Sequence, residues 1–320
     1  MRQLLVAIVS IVFLSTAGVA TQAKAADYPD RPVKMLVSVG PGAFIDLLAR
    51  AVANNMSNDL GQPMLVTNTP GGSHGSVMVM NLKNAKNDGY TLGVSATAAY
   101  TYSPHFAGTR YTLDEFIYIS LLGLNQSGVV CAPDKPWNSL REAIDWAKKE
   151  NKGLSYVFQG ADDRQVMERI ARLEGVDISF LPSTGGPSVL TAVMGGHADL
   201  GHTGAILFEY VKANRVKCLA ATTPERLTAL PDIPTLREQG WQESVEMFVV
   251  LAAPRGTPED VLGKIEQSVL KLKDNAEFQD MLLNKLNMRP TPLGREYAAE
   301  YMKSADANFA RLAREAGVKK

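Results

Sequence analysis

The stretch YPDRPVKMLVSVGPGAFIDLLAR, residues Tyr28 to Arg50, decides the fold. Its apolar run from Val33 to Val39 has the length and β-branched content of a strand that is buried on both faces, as in a parallel sheet. Gly40, Pro41 and Gly42 end this strand, and from Phe44 onward apolar residues recur at helical spacing. The sequence therefore predicts a strand, a tight loop and a helix, with free backbone N–H groups at the helix N-terminus where an anion can bind.

Two further connections of the same kind come after it. Residues 64–68 are predicted to form a second strand, and TPGGSHGS at 69–76 a second glycine loop that opens a helix. A turn at Asp88-Gly89 leads into a strand at 90–95, and the loop 96–105 follows it. Because ligands of open α/β sheets lie beyond the carboxyl ends of the strands, all three loops are candidate ligand-binding loops.

The alternation of strand and helix restarts after 125–128, where we place the crossing into a second domain. Strands are predicted at 128–132, 155–158 and 178–181, and helices at 139–150, 163–174 and 187–195. The loops Gln159–Asp162, Ser183–Gly186 and Gly201–Gly204 each follow a strand or precede a helix. These loops are candidates for the facing wall of a cleft.

Charge and composition exclude several classes of partner. The chain has 320 residues with 33 basic and 33 acidic side chains, so its net formal charge is zero and it offers no field for nucleic acid or an anionic membrane. Arg2, the apolar run 4–20 and Ala23-Lys24-Ala25 have the layout of a secretory signal peptide spanning 1–25, cleaved near Ala25. We expect an exported protein. The two cysteines, Cys131 and Cys218, are expected to be buried free thiols, and the alternative is a disulfide between them.

The residues that catalysis or metal binding requires are not found at the required spacings. The sequence has no Gly-x-Ser-x-Gly elbow, phosphate-loop lysine motif or dinucleotide fingerprint, and no histidine pair has zinc-helix spacing. We therefore expect no enzyme activity, no metal and no cofactor. His74, His105 and His202 nevertheless fall in candidate loops, either as ligand contacts or as ordinary loop histidines. Asp46 is expected to bond a loop amide at its helix N-terminus rather than to touch a ligand, and Arg50 to be a packing or solvated arginine.

A family resemblance covers nearly the whole chain after residue 25. The segments LGQPMLVTNTPGG (60–72), NDGYTL (87–92), LPSTGGPSVLTAVMGGHADLG (181–201), ERLTALPDIPTLREQG (225–240), LAAPRGTPEDVLGKIEQSV (251–269) and REAGVKK (314–320) follow the first stretch in order. Together they resemble the Bug-type periplasmic receptors of tripartite tricarboxylate transporters. The resemblance implies a type II-like, two-domain α/β periplasmic binding protein, with a mixed sheet flanked by helices in each domain. Domain I would comprise 26–124 plus 246–320, and domain II 125–245.

The resemblance also implies a ligand site and a partner. A small organic carboxylate would lie in the interdomain cleft, held by backbone amides and ordered water, and a monomeric receptor would hand it to membrane permease subunits. Carried over residue by residue, it points to Gly42, Ala43 and Phe44 in the first loop, Gly72, Ser73, His74 and Gly75 in the second, Thr97 in the third, and Gln159, Gly160, Gly185 and Thr203 on the facing wall. To these we add Tyr100 and Arg164 from their places in the candidate loops.

Two departures from the family pattern bear on the ligand. The first loop has Gly-Ala-Phe-Ile-Asp at 42–46, where the family usually has a Gly-Gly-Ala-Thr-Asp type of loop. The facing wall has GADDR at 160–164, where the family usually has small residues. Two aspartates at one helix N-terminus would repel a second anionic group unless Arg164 turned inward, while Phe44, Tyr100, Tyr102 and Phe158 would add aromatic surface. These residues favour a monocarboxylate with an aromatic or neutral-to-cationic far end over citrate. The alternative is that the aromatic residues fill core gaps and the aspartates only cap the helix.

Two other functions remain open at this point. A ligand-sensing receptor for a membrane sensor kinase would have the same cleft, and the neighbouring genes would distinguish it. A secreted hydrolase would turn over activated esters.

Overall fold

A computed structural model describes residues 28–291 and 294–318 of the chain. The predicted signal peptide, 1–25, lies outside the described residues. The protein is an α/β structure with two mixed sheets, one of six strands and one of five, and helices flank both. The predicted fold class is confirmed.

The first sheet has the strand order β11-β4-β10-β3-β1-β2. Its strands are β1 (Val33–Val37), β2 (Met64–Asn68), β3 (Thr91–Ala96), β4 (Phe116–Asn125), β10 (Phe248–Pro254) and β11 (Met288–Arg289). Strand β1 pairs in parallel with both β2 and β3, whereas β10 runs antiparallel between β3 and β4. The carboxyl ends of β1 to β4 therefore lie at the same edge as the start of β10.

The second sheet repeats this plan with the order β7-β6-β8-β5-β9. Its strands are β5 (Gly128–Cys131), β6 (Leu154–Phe158), β7 (Ile178–Pro182), β8 (Leu200–Thr203) and β9 (Lys217–Ala221). Strand β6 is parallel to β7 and β8, and β5 is the antiparallel strand between β8 and β9. In each sheet the antiparallel strand between two others, β10 or β5, follows a crossing from the other sheet, and the short edge strand β11 is also antiparallel to β4.

The helices cover the faces of the two sheets. They are α1 (Phe44–Leu60), α2 (Ser76–Lys83), α3 (Ala98–Thr101), α4 (Ser103–Phe106), α5 (Leu140–Glu150), α6 (Ala161–Glu174), α7 (Gly186–Met194), α8 (Leu207–Lys212), α9 (Glu259–Leu270), α10 (Ala276–Asp280) and α11 (Arg295–Glu315). Helix α1 buries Ile45, Leu48, Ala49 and Val52 and ends at Gly61, whose left-handed backbone donates its N–H to the Ser57 carbonyl. None of the helices in the described part of the chain has both the length and the apolar character needed to cross a membrane.

Each sheet is covered on both faces, which explains its apolar strands. All seven residues of β10 are buried, as parallel and mixed sheets covered by helices require. In the second sheet Cys131 and Cys218 lie on neighbouring strands, where Cys131 pairs with Lys217 and Cys218 with Val130, and they belong to apolar clusters on opposite faces. Both are buried free thiols, as predicted. Burial raises the pKa of Cys131 to about 11 and that of Cys218 to about 12.

Two crossings join the sheets, and they bond to each other. The first runs from Asn125 to Gly128, and the second enters β10 through Met247; the Asn125 N–H donates to the Met247 carbonyl at 2.9 Å. Gly128 pairs with Thr203 at the end of β8, so each crossing starts and ends at the edge that holds the carboxyl ends of parallel strands. The two loop-bearing edges consequently face each other. The strands of the first sheet fall within 33–125 and 248–289 and those of the second within 128–221; the exact domain bounds stay a prediction.

Candidate functional site

The candidate site consists of the loops that connect strands to helices at the facing edges of the two sheets, in equivalent positions on each sheet. On the first sheet they are the loops after β1 and β2 and the end of β3; on the second they are the loops after β6 and β7 and the end of β8. All the predicted site residues fall in these connections or in the first turns of the helices that follow them, Tyr100 in the first turn of α3. Their side chains and backbone groups, however, do not all point where the sequence suggested.

The first loop is organised by Asp46, a buried residue in the first turn of α1. Its carboxylate accepts hydrogen bonds from the Gly42 N–H at 2.8 Å, Arg50 Nε at 3.0 Å and Asn68 Nδ2 at 2.7 Å. Burial opposes its ionisation, but these three donors more than offset burial and lower the pKa of Asp46. Asp46 thus bonds a loop amide, as predicted, and Arg50 is its partner rather than a free cation.

This arrangement corrects the role predicted for Gly42. Its N–H is donated to Asp46 and is not free for an anion. Gly42 instead lets the loop adopt a left-handed backbone conformation, with φ +83°, and leaves room beside the loop, because no atom outside its chain neighbours lies within 4 Å of where a Cβ would be. Ala43 and Phe44 follow at the open end of the loop, and the Phe44 side chain is exposed.

The second loop has a left-handed backbone over most of its length. Gly71, Gly72, His74 and Gly75 have φ values of +123°, +72°, +51° and +92°. A Cβ on Gly75 would lie 2.4 Å from the Cβ of Ser38, so this glycine permits close packing against the end of β1. Ser103 donates to the Ser73 carbonyl at 2.9 Å and fixes the turn from the other side.

His74 stands at the edge of the second loop that faces the other sheet. Its Nδ1 lies 3.1 Å from the Ser73 hydroxyl, and its ring meets Tyr102 edge-on with centroids 4.8 Å apart. Contact with these neighbours removes water from the imidazole and lowers the pKa of His74, while the negative charge of Asp162 on the second sheet acts against that shift. His74 therefore lies within electrostatic range of the facing wall.

Thr97 and Tyr100 are both buried near the end of β3, and the ligand contact predicted for Tyr100 is wrong. Thr97 donates its N–H to the Phe248 carbonyl at 2.9 Å. Tyr100 has no exposed surface and packs edge-on against Phe116 and Tyr118, with centroids at 5.1 and 5.4 Å. Tyr100 is a core residue, as the alternative for the aromatic residues proposed, and offers nothing to a ligand here.

The facing wall brings Gln159, Gly160, Gly185 and Thr203 together. The Gln159 side-chain amide donates to Thr203 Oγ1 at 3.4 Å. The neighbouring Gly186 lies so close that a Cβ there would be 2.8 Å from Thr203 Oγ1, whereas Gly185, with φ +141°, has open space beside it. These contacts place the three connections of the second sheet side by side.

Asp163 organises this wall as Asp46 organises the first loop. Its two carboxylate oxygens accept the Gly160 N–H at 2.7 Å and the Gln159 N–H at 3.1 Å. Burial raises the pKa of Asp163 to about 6, against the effect of these amide donors. His202 is buried behind it, with Nε2 3.1 Å from the Thr222 hydroxyl and Nδ1 3.5 Å from Asp163 Oδ2. Burial lowers the pKa of His202 to about 4, so this histidine is a neutral core residue rather than an exposed loop contact.

Arg164 does not turn toward the cleft. Its Nε donates to Glu168 at 2.7 Å, one turn along α6, and its guanidinium lies over the rings of Phe158 and Phe180 at 5.3 and 5.7 Å. The inward orientation of Arg164 that the sequence left open is therefore wrong.

His105 is paired with another side chain as well, because its Nε2 lies 2.7 Å from Asp306 of α11.

A cavity of about 380 Å³ opens beside these groups, between the start of α6, the second crossing and α11. It is lined by Asp162, Ser244, Val245, Glu246, Tyr301, Ser304, Ala305, Asn308 and Phe309. Tyr301 donates to the Glu246 carbonyl at 3.1 Å and packs on Phe248, whose carbonyl accepts the Thr97 N–H, so the cavity adjoins the end of β3. A larger cavity of about 580 Å³ lies between α8 and residues 283–287, away from the candidate loops. Neither cavity is lined by a predicted site residue, but Asp162 of the smaller one lies between Gly160 and Arg164 in the sequence. We take the smaller cavity as part of the site because it adjoins both walls.

Sequence reasoning missed the contribution of α11. The i, i+4 spacing of Tyr297 and Tyr301 indicates only a buried helix face, but Tyr301 both packs on Phe248 and lines the cavity. Phe309 lines the cavity as well and contacts Tyr102, with ring centroids 5.5 Å apart. Helical spacing identifies a buried face but not the surface it meets, so no sequence signal pointed to this role. Among the described residues, no group of three or more acidic, histidine or cysteine side chains could hold a metal ion.

Comparison with known proteins identifies the family and the fold. The family model described as "Tripartite tricarboxylate transporter family receptor" matches residues 48–315. Protein BugT of Bordetella pertussis is 28% identical over 263 residues, covering 78% of this chain and 79% of BugT. A TctC solute-binding protein from Polaromonas superimposes with a TM-score of 0.78 at 25% identity, covering 90% of this chain and 99% of that one. An R. palustris protein with adipate shares the fold, with a TM-score of 0.71 at 22% identity, covering 91% of this chain and 99% of that one.

The family and the fold are those of solute-binding proteins rather than of enzymes. The match spans most of the chain, from within α1 to the end of α11, and β1 and the first loop precede it. The chain belongs to the receptor family of the tripartite tricarboxylate transporters, the Bug-type periplasmic solute-binding proteins.

Proposed function

We propose that this protein binds a small organic carboxylate between its two sheets and delivers it to the permease subunits of a tripartite transporter. The observation that carries the proposal is the pair of facing edges, each with glycine-rich loops at the carboxyl ends of parallel strands, joined by two crossings that bond to each other. Two lobes connected in this way can close on a ligand by rotating about the crossings. Membership of the receptor family and the adipate bound by an R. palustris protein of the same fold support the ligand class.

The carboxylate would be held by the first sheet's side of the cleft. The second loop, Gly72 to Gly75, presents a turn of left-handed backbone at the N-terminus of α2, where amide N–H groups and the helix dipole favour an anion. Gly42 supplies the open space that lets a ligand approach the first loop. Ordered water would complete the contacts, and Gln159, Gly185 and Thr203 would close over the ligand from the facing wall.

The remaining features of the proposal concern where and with what the protein works. Residues 1–25 would direct export, with cleavage near Ala25, and the mature chain would act in the periplasm as a monomer. Its macromolecular partner would be the permease, and no nucleic acid or cofactor takes part.

Uptake by cells provides the direct test. Deleting the gene and adding it back, with accumulation of the radiolabelled carboxylates that the purified protein binds in calorimetry, should show uptake lost and then restored. A control strain would carry the gene with the second loop replaced by a serine-rich segment of equal length. Binding without any effect of the deletion on uptake would contradict a transport role, and absence of binding to every carboxylate tested would contradict the ligand class.

A further inference from the structure

The two aspartates at the start of α6 have different surroundings. Asp163 is buried and accepts two loop amides, so it is the residue that caps the helix. Asp162 is only partly buried; burial and the charge of Asp163 raise its pKa, and backbone N–H groups at the start of α6 act against that rise. Among residues 28–291 and 294–318 it forms no ion pair and no side chain donates a hydrogen bond to it. Asp163 is thus bonded to its own loop, whereas Asp162 lines the 380 Å³ cavity.

The charge of Asp162 acts across the space between the two sheets. On the first sheet's side it opposes the fall in the pKa of His74, and it adds to burial in raising the pKa of Tyr102 and of Tyr301. On its own side it opposes the fall in the pKa of His202. Asp162 therefore lies at a cavity between the two sheets and within electrostatic range of groups on both walls.

No cation neutralises this carboxylate in the described part of the chain. Arg164, the nearest arginine in sequence, is paired with Glu168. His74 and His202 both have pKa values lowered by desolvation, so they are neutral at pH 7. Glu246 adds a second carboxylate to the same cavity and accepts a hydrogen bond from Ser244 at 2.9 Å. The cavity is therefore electronegative.

We propose that Asp162 determines the charge of the ligand that this receptor accepts. The assignment rests on the proposed function and deepens it: the carboxylate of the ligand binds at the loops of the first sheet, and Asp162 excludes ligands whose far end carries a second anionic group. Ligands with a neutral or positively charged far end are favoured, and the rings of Tyr301 and Phe309 in the same cavity suit an apolar or aromatic body. Dicarboxylates such as adipate should accordingly be poor ligands.

The test uses sets of probes that differ only at the far end. Adipate, hexanoate and 6-aminohexanoate form one set, and terephthalate, benzoate and 4-(aminomethyl)benzoate form another. Two unit charges roughly 7 to 10 Å apart at an effective dielectric constant of about 20 change affinity by roughly 10- to 50-fold. Asp162→Asn should therefore tighten the dianion of each set by about 10-fold or more, weaken the amino acid by a similar factor, and leave the simple monocarboxylate within about 3-fold of wild type.

A matched control removes the same charge elsewhere. Asp145→Asn alters α5, which follows the opposite end of β5, and it should leave all affinities unchanged. Asp162→Ser repeats the test with a smaller side chain, and thermal unfolding verifies that each variant is folded. Wild-type protein that binds the dianion of a set most tightly, or Asp162 variants with unchanged selectivity, would overturn the inference and leave the receptor function standing. Failure of the wild type to bind any of the probes would instead overturn the carboxylate function on which it rests.

Discussion

Replacing Asp46 with alanine should destabilise the protein and weaken ligand binding only as a consequence. The side chain of Asp46 is 1% exposed and that of its partner Arg50 is 49% exposed. Loss of the carboxylate leaves the Gly42 N–H and one of the two N–H groups of the Asn68 amide without their acceptor, at a cost of about 1 kcal/mol each; the Asn68 amide keeps its bond to the Val39 carbonyl. The half-exposed Arg50 regains water, so its share stays below about 1 kcal/mol. The expected loss in free energy of unfolding is about 2 to 3 kcal/mol.

The pH dependence of this contribution has a defined sign. The folded-state pKa of Asp46 is lowered, so its stabilisation is complete above the ordinary aspartate pKa of about 3.9 and is lost as the pH falls toward the folded value. Urea unfolding of the wild type and Asp46→Ala, followed by circular dichroism at pH 7 and in steps down to pH 3, measures both effects. The stability difference between the two proteins should shrink below about pH 4.

Two outcomes would refute this reasoning. A loss below about 1 kcal/mol at pH 7 would show that the hydrogen bonds of Asp46 contribute little to the fold. Unchanged stability together with lost binding would show that Asp46 contacts the ligand, the role that its burial and its three donors argue against. Glu277→Ala, at an exposed position in the first turn of α10, is the control for loss of a first-turn carboxylate and should cost less than about 1 kcal/mol.

Further predictions concern the loops, the hinge and the thiols. Gly42→Val should abolish binding while the protein stays folded, because a branched side chain at φ +83° is strained and blocks the open loop; Gly40→Val, also in open space but without a positive φ, should retain more affinity in the same titration. Small-angle scattering should show a smaller radius of gyration when a binding carboxylate saturates the protein, and identical curves would count against closure about the crossings. Cys131 and Cys218 should react with a thiol reagent at pH 8 only after denaturation, since burial raises both pKa values, and rapid labelling of the native protein would contradict their burial.

Local sequence predicted the order and approximate limits of the elements. The strand predicted at 33–39 is β1 at Val33–Val37, and the helices predicted at 139–150 and 163–174 are α5 and α6 within two residues. Glycine loops between strand and helix placed the candidate site at the carboxyl ends of the strands. These features depend on periodicity and turn residues a few positions apart, which a single sequence displays directly.

The orientation of individual groups could not be predicted in the same way. Gly42 lies at a helix N-terminus, yet its N–H is taken by Asp46; Tyr100 follows a loop, yet it points into the core; Arg164 pairs with Glu168 along its own helix. Each outcome depends on which neighbour competes for the group. The role of α11 depends on contacts far apart in sequence, such as that of Phe309 with Tyr102, and periodicity cannot supply them.

The repeated plan of the two sheets separates what the fold needs from what the ligand needs. Helices α1 and α6 occupy equivalent places after β1 and β6, each of which lies next to the edge strand of its sheet. Each helix has an aspartate at its third residue, Asp46 or Asp163, that accepts amides of the preceding loop. The second residue differs: in α1 it is Ile45, buried in the apolar core, and in α6 it is Asp162, at the cavity. A strand–loop–helix unit of this kind is therefore built without a carboxylate at its second helical position. The charge of Asp162 is favoured by backbone amides at the N-terminus of α6 and opposed by burial and by Asp163. Asp162 differs from Asp163 in that it lines the cavity and forms no ion pair in the described part of the chain, and this position is the physical reason to assign it to the selection of ligand.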